Sequence, residues 1–138
     1  MTRLTLALRA DACKLALDGQ VLARLADGAM TLLGATGLAP SLAGVESAIE
    51  QAEEWLMPTS RLLEGRTLHV AGANAALERA LGAGRVHAPS EVENAFARMV
   101  DAVATGRPVE AACAAHLVLI RELVHHGRLA GVVLSTGP

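Results

Sequence analysis

RLTLALRADACKLALDGQVLARLA, residues 3–26, is the stretch on which the fold turns. Leu4, Leu6 and Leu8 alternate with Arg3, Thr5 and Ala7. That period of two is the signature of a strand with one buried face. Asp18-Gly19 follows, and Asp27-Gly28 repeats the dipeptide. Asp-Gly suits a type I′ hairpin turn, which needs positive φ at both central residues. A two-residue turn at 18–19 sets Leu17 opposite Gln20 and Leu15 opposite Leu22. The expected outcome is a meander with strands near 13–17, 20–25 and 29–33. The competing reading is one helix over 11–33, which would carry Gly19 and Gly28 internally at about 1 kcal/mol each relative to Ala.

Outward from there, residues 34–44 hold three Gly and one Pro and read as a loop. A helix is expected over 43–57, with Val45, Ala48, Ile49, Ala52 and Leu56 as its apolar stripe, stopped by Pro58. Residues 67–71 read as a strand, Asn74 as the cap of a helix over 75–82, and 85–88 as a second strand reached by a parallel crossover. Ser90 with Glu93 forms a capping-box pattern for a helix that ends near Gly106. Pro108 suits the first turn of another, running to Gly127, whose wide apolar face (Val109, Cys113, His116, Leu117, Ile120, Leu123, Val124) places it in the core. Residues 129–134 read as a last strand. The fold class is therefore α+β: an N-terminal β-meander and a small mixed sheet packed against about four helices, the last two an antiparallel pair. The 138 residues fit a single globular domain, 1–138.

Composition excludes several classes. Apolar residues make up 52%, which supplies a core and argues against disorder. There are one Trp, one Phe and no Tyr, and the net charge is −2, so neither the stacking platforms nor the basic surface of a nucleic-acid binder is present. The uncharged run 29–45 is broken by Gly34, Gly37, Pro40 and Gly44 and cannot span a membrane. Arg9 and Asp11 interrupt the N-terminal apolar stretch, unlike a signal peptide. Cys13 and Cys113 form no C-x-x-C pair and read as reduced thiols, so a cytoplasmic location is expected.

The candidate chemistry is scattered. Glu122 and His125 have Glu-x-x-His spacing, but a di-iron site needs two such pairs, so no metal is implied. His69 and His87 lie on neighbouring expected strands and could share a sheet face near Glu122, His125 or His126. His69, His87, Glu122 and His125 are thus the candidate catalytic set, with histidine as proton shuttle. His116, on an apolar helix face, is expected to be buried, neutral and bonded to the backbone. Val70–Asn74 is a strand end leading into a helix start, so Gly72 and Asn74 are the candidate ligand-binding pair for a phosphate. G-x-G-x-x-G and the Walker lysine are absent, and no cofactor follows from any spacing. Mean hydropathy is +0.38, an apolar surplus that one core need not absorb. The preferred functional reading is an interaction or small-ligand module that self-associates as a homo-oligomer and takes a protein partner. The alternatives are a small metal-dependent or His/Glu acid–base enzyme, and a phosphate-ligand protein using the 70–75 turn.

Overall fold

A computed structural model of the chain describes residues 3–9, 11–26, 28, 32 and 40–135. The leucine alternation forms strand β1 (Leu4–Leu8), with all three leucines buried. It pairs antiparallel with β2 (Ala12–Leu17), and β2 with β3 (Gln20–Ala26). The Asp18-Gly19 turn has φ of 51° and 84°, as a primed hairpin requires. Asp18 is tied twice to Arg3, the residue before β1, donating its N–H to the Arg3 carbonyl (2.9 Å) and accepting from the Arg3 N–H (2.6 Å). Strands, not one long helix, occupy 12–26. The third expected strand, 29–33, falls outside the described residues except for Leu32, which is buried.

Leu17 faces Gln20 as expected, but Leu15 faces Ala23 rather than Leu22. A bulge between Leu15 and Ala16 leaves Leu22 as the extra residue. Its physical cause is the burial pattern. Without the bulge, buried Cys13 would face Arg24. With it, Cys13 faces Leu25, and exposed Lys14 faces exposed Arg24.

The meander continues into one six-stranded sheet, ordered β3-β2-β1-β4-β6-β5. Strands β4 (Thr67–Ala71) and β6 (Gly131–Leu134) run parallel to β1. The 85–88 segment forms only β5 (Val86–His87), antiparallel to β6 and not beside β4. The slot next to β4 goes to β6, because Val132 and Leu134 both bury fully there, whereas Val86 stays exposed. Leu4, Leu6, Leu8, Leu15, Leu68, Val70, Val132 and Leu134 form the buried sheet face. Thr5, Ala7, Lys14, Ala16, His69 and Val133 lie on the other face and keep some exposure.

Helix α1 (Leu42–Leu56) is capped by Ser41, whose Oγ accepts from the Gly44 N–H at 3.0 Å. Pro58 ends it into a 3₁₀ turn, Met57–Leu62. Helix α2 (Ala75–Leu81) takes its cap from Asn74 as expected. Helix α3 (Pro89–Ala104) begins before Ser90, so the Ser90/Glu93 capping box does not form. Pro89 takes the first helical position, where its missing N–H costs nothing, and Glu91 reaches back to the Ala88 N–H (3.4 Å). Helix α4 (Ala111–Gly127) starts later than Pro108, because residues 107–110 are needed to turn the chain back along α3. Glu93 and Arg121 meet at one end of the pair, while Met99 and Cys113 share a hollow toward the other, so the helices are antiparallel. Every residue of α4 from Cys113 to Ile120 is buried. The left-handed residue that closes α4 is Arg128 (φ 52°), not Gly127. Gly127 serves packing instead: a Cβ there would lie 2.7 Å from Leu63 Cδ1.

Gly72 is the tightest backbone contact of the sheet. Its φ is +86°, and a Cβ would sit 2.2 Å from the Leu8 carbonyl oxygen. Gly72→Ala is expected to lower stability by about 2 kcal/mol or more in urea unfolding, since strain and backbone overlap add. Gly127→Ala should cost less, because the Leu63 side chain can turn aside. Equal stability of Gly72→Ala and the parent chain would refute this contact.

Candidate functional site

The parallel strands β1, β4 and β6 end at one edge of the sheet. Arg9 and Asp11, both exposed, lie in the turn after β1; Gly72–Asn74 follow β4; Ser135 follows β6 and donates its N–H to the Val70 carbonyl (2.8 Å). Asn74 is bonded at both ends of its amide. Its Oδ1 accepts from the Leu77 N–H (2.9 Å) and its Nδ2 donates to Glu110 Oε1 (2.6 Å). The backbone of the two turns approaches closely at Gly72 and Leu8; one turn carries Arg9 and Asp11, the other Asn74 with its Glu110 partner.

The histidines do not share one face. Register sets His69 beside Val133 and His87 beside Val132, so their side chains leave the sheet in opposite directions. His69 lies on the less buried face, its Nδ1 3.3 Å from Arg3 Nη2. Burial, then the Arg3 charge, lowers its pKa. His87 is buried, with Nδ1 2.8 Å from Glu91 Oε2 and Nε2 2.8 Å from the Gly82 carbonyl. Both hydrogen bonds form together only when both ring nitrogens carry protons. The Arg85 guanidinium, then His87, then the Ala88 N–H hold Glu91 down to about 2.

Glu122 is fully buried and meets His126, not His125: Oε1 lies 3.2 Å from His126 Nε2. The same Nε2 lies 3.1 Å from Oε1 of Glu53, on α1. The second oxygen of Glu122 accepts from Arg121 Nη1 at 2.6 Å. Arg121 also grips Glu93 through Nε (3.0 Å) and Nη2 (3.4 Å), and its guanidinium carbon stands 4.9 Å over the Phe96 ring. Glu93, then Glu122, raise the Arg121 pKa against the opposing effect of burial. His125 is exposed, in a groove of about 550 Å³ with Ser90, Glu93, Arg121 and Arg128. The spacing that could have flagged His126 is i, i+4 from Glu122 on one helix face. Glu53 carried no such signal, being on another helix.

His116 is buried, and burial lowers its pKa, as expected for a neutral ring, but its Nδ1 has no hydrogen-bond partner among the described residues. Cys113 is pushed up to about 11 by burial and the Glu110 charge, with Arg79 opposing. Cys13 is buried as well. Among the described residues, no helix is long and apolar enough to cross a membrane.

No protein-family model matches the chain, and no curated protein is significantly similar to it. Solved structures do match. One is a Ppx/GppA family member of Aquifex aeolicus, with a TM-score of 0.70 at 13% identity over 97% of this chain and 52% of that one. Another is a type II variant of the Aquifex aeolicus Ppx/GppA phosphatase, with a TM-score of 0.69 at 14% identity over 97% and 53%. A third, the Aquifex aeolicus PPX-GPPA enzyme, has a TM-score of 0.64 at 11% identity over 98% and 53%. At these identities the likeness is one of fold. The chain spans about half the length of the proteins it matches.

Two outcomes follow from the electrostatics. Glu91 has a folded pKa of about 2 against an ordinary 4.5. Its stabilisation is complete above the ordinary value and is lost as pH falls through about 2. Acid titrations followed by circular dichroism should therefore show Glu91→Gln less stable than the parent at pH 6, with the gap closing toward pH 2; a constant gap would refute the assignment. Cys113 should resist iodoacetamide at pH 7 in the folded chain and react on unfolding; rapid native labelling at that site would contradict its burial.

Proposed function

We propose that the chain binds a phosphate-bearing ligand, carried as its magnesium complex, at the shared edge where β1, β4 and β6 end. The carrying observation is the close approach of Gly72 to the Leu8 carbonyl, which sets the turn after β1, holding exposed Arg9 and Asp11, beside the turn after β4, where Asn74 is bonded to Glu110. In open α/β sheets, ligands settle outside the carboxyl ends of the parallel strands. Gly72 matters because a side chain would block the approach of the strand ends. Arg9, exposed in the turn after β1, is offered as the cation for a phosphate oxygen. Asp11 and Glu110 would repel a bare anion, so the ligand brings a divalent ion; magnesium is commonly held by one or two carboxylates plus substrate phosphates. The fold likeness to a Ppx/GppA phosphatase supports the same ligand class.

The ligand edge is exposed at Arg9, Asp11 and Gly72. A second copy of the chain is the proposed covering unit, which makes the active species a homodimer. Buried thiols suit a reducing compartment, and the proposed location is the cytoplasm.

The test is thermal unfolding with magnesium pyrophosphate or magnesium ATP against magnesium alone. Ligand that binds only the folded chain must raise the midpoint. A rise with the parent chain, lost in Arg9→Gln, is the expected result, together with ligand-dependent dimerisation in light scattering. Phosphate release in the same samples would extend the reading to hydrolysis. No rise at millimolar ligand would remove it.

A further inference from the structure

A second polar cluster lies at the opposite end of the strands from the proposed ligand edge. It joins the last turn of α1 to the last turn of α4, just before the chain enters β6. From Glu53, Glu122 and His126 we infer a binding site for a first-row divalent transition metal, of which zinc is the probe. Their donor atoms all lie within 4.8 Å of one another.

The decisive atom is Glu122 Oε1. Glu122 has no exposed surface, and this oxygen accepts no hydrogen bond. His126 Nε2 is 3.2 Å away, yet its hydrogen bond runs to Glu53. One ring N–H serves one acceptor well, so an Nε2–H given to Glu53 leaves the buried Glu122 oxygen unsatisfied, at real cost. A cation taking the Nε2 lone pair would touch both carboxylates at once. The two Nε2 spacings suit it: donors about 2.1 Å from one ion at the tetrahedral angle stand about 3.4 Å apart, and the observed Nε2 separations are 3.1 Å and 3.2 Å. The Glu53 and Glu122 oxygens lie within 4.8 Å of one another, and a turn of the partly exposed Glu53 carboxylate would close them onto the ion. Arg121, bonded to Oε2, fixes the Glu122 carboxylate with Oε1 turned to the site.

One imidazole and two carboxylates favour zinc, manganese or iron over calcium and magnesium, which prefer oxygen alone. Access exists, since His126 also lines a groove of about 260 Å³ with Ser60, Arg61, Glu64 and Arg128. Solvent there would complete the coordination shell. The bound ion would clamp α1 to α4.

The experiment uses the full chain, stripped with chelator and dialysed. Zinc, manganese and magnesium are added one at a time, with thermal unfolding and competition against a zinc-sensitive chromophore as readouts. The expected result is one equivalent of zinc bound, a raised unfolding midpoint, and little response to magnesium. Glu53→Gln and His126→Gln should each weaken zinc binding at least about tenfold. Glu53 is partly exposed, so Glu53→Gln should fold even if His126→Gln does not. His125→Ala, which removes the exposed neighbouring imidazole, should bind as the parent does. The inference fails if the parent takes up no zinc at micromolar concentration, if Glu53→Gln binds unchanged, or if His125→Ala alone abolishes binding. Arg9→Gln should leave zinc binding intact, so this result stands or falls apart from the phosphate reading.

Discussion

Helix α4 has to be buried on nearly every side, and much of the molecule follows from that. It packs against α1, α2, α3 and the 3₁₀ turn. Such a helix has almost no solvent face on which to place polar side chains, so each one it carries needs a partner or must stay neutral. Cys113 and His116 take the neutral course: burial raises the thiol and lowers the imidazole. Glu122 takes the paired course, with Arg121 on one oxygen and His126 near the other.

The same constraint separates the chemistry into two regions. The amino end of α4 lies beside the turn after β4, where Glu110 meets Asn74. Its carboxyl end lies beside α1, where His126 meets Glu53. Each region joins α4 to an element distant in sequence. The length between them is apolar apart from the buried Cys113 and His116. Large exposed apolar side chains among the described residues, such as Val21, Met57 and Val86, stand on different elements. The apolar surplus suggested by composition is thus largely absorbed by the alanine-, leucine- and valine-rich interior.

Much of the fold was legible in local patterns. The alternation of Leu4, Leu6 and Leu8, the Asp18-Gly19 turn and the Asn74 cap each work through neighbours a few residues apart, and each behaves as local chemistry requires. Legibility failed where two distant segments had to be compared. The partner of Leu15 depended on keeping Arg24 out of the core, through a bulge. The place of Val86–His87 depended on β6, 45 residues after Val86, taking the slot beside β4. Of the candidate site residues, Asn74 serves as the expected cap, and Glu122 has an imidazole partner, though His126 rather than His125.

What the sequence determined by itself were the strand and helix segments, the hairpin turn and the apolar faces, because propensity, periodicity and capping act over a few residues. Tertiary structure alone decided the sheet order, the opposite facing of His69 and His87, and the meeting of Glu53 with Glu122 and His126. Those outcomes depend on which buried surfaces compete best for one another, and that competition is settled between segments far apart in the chain.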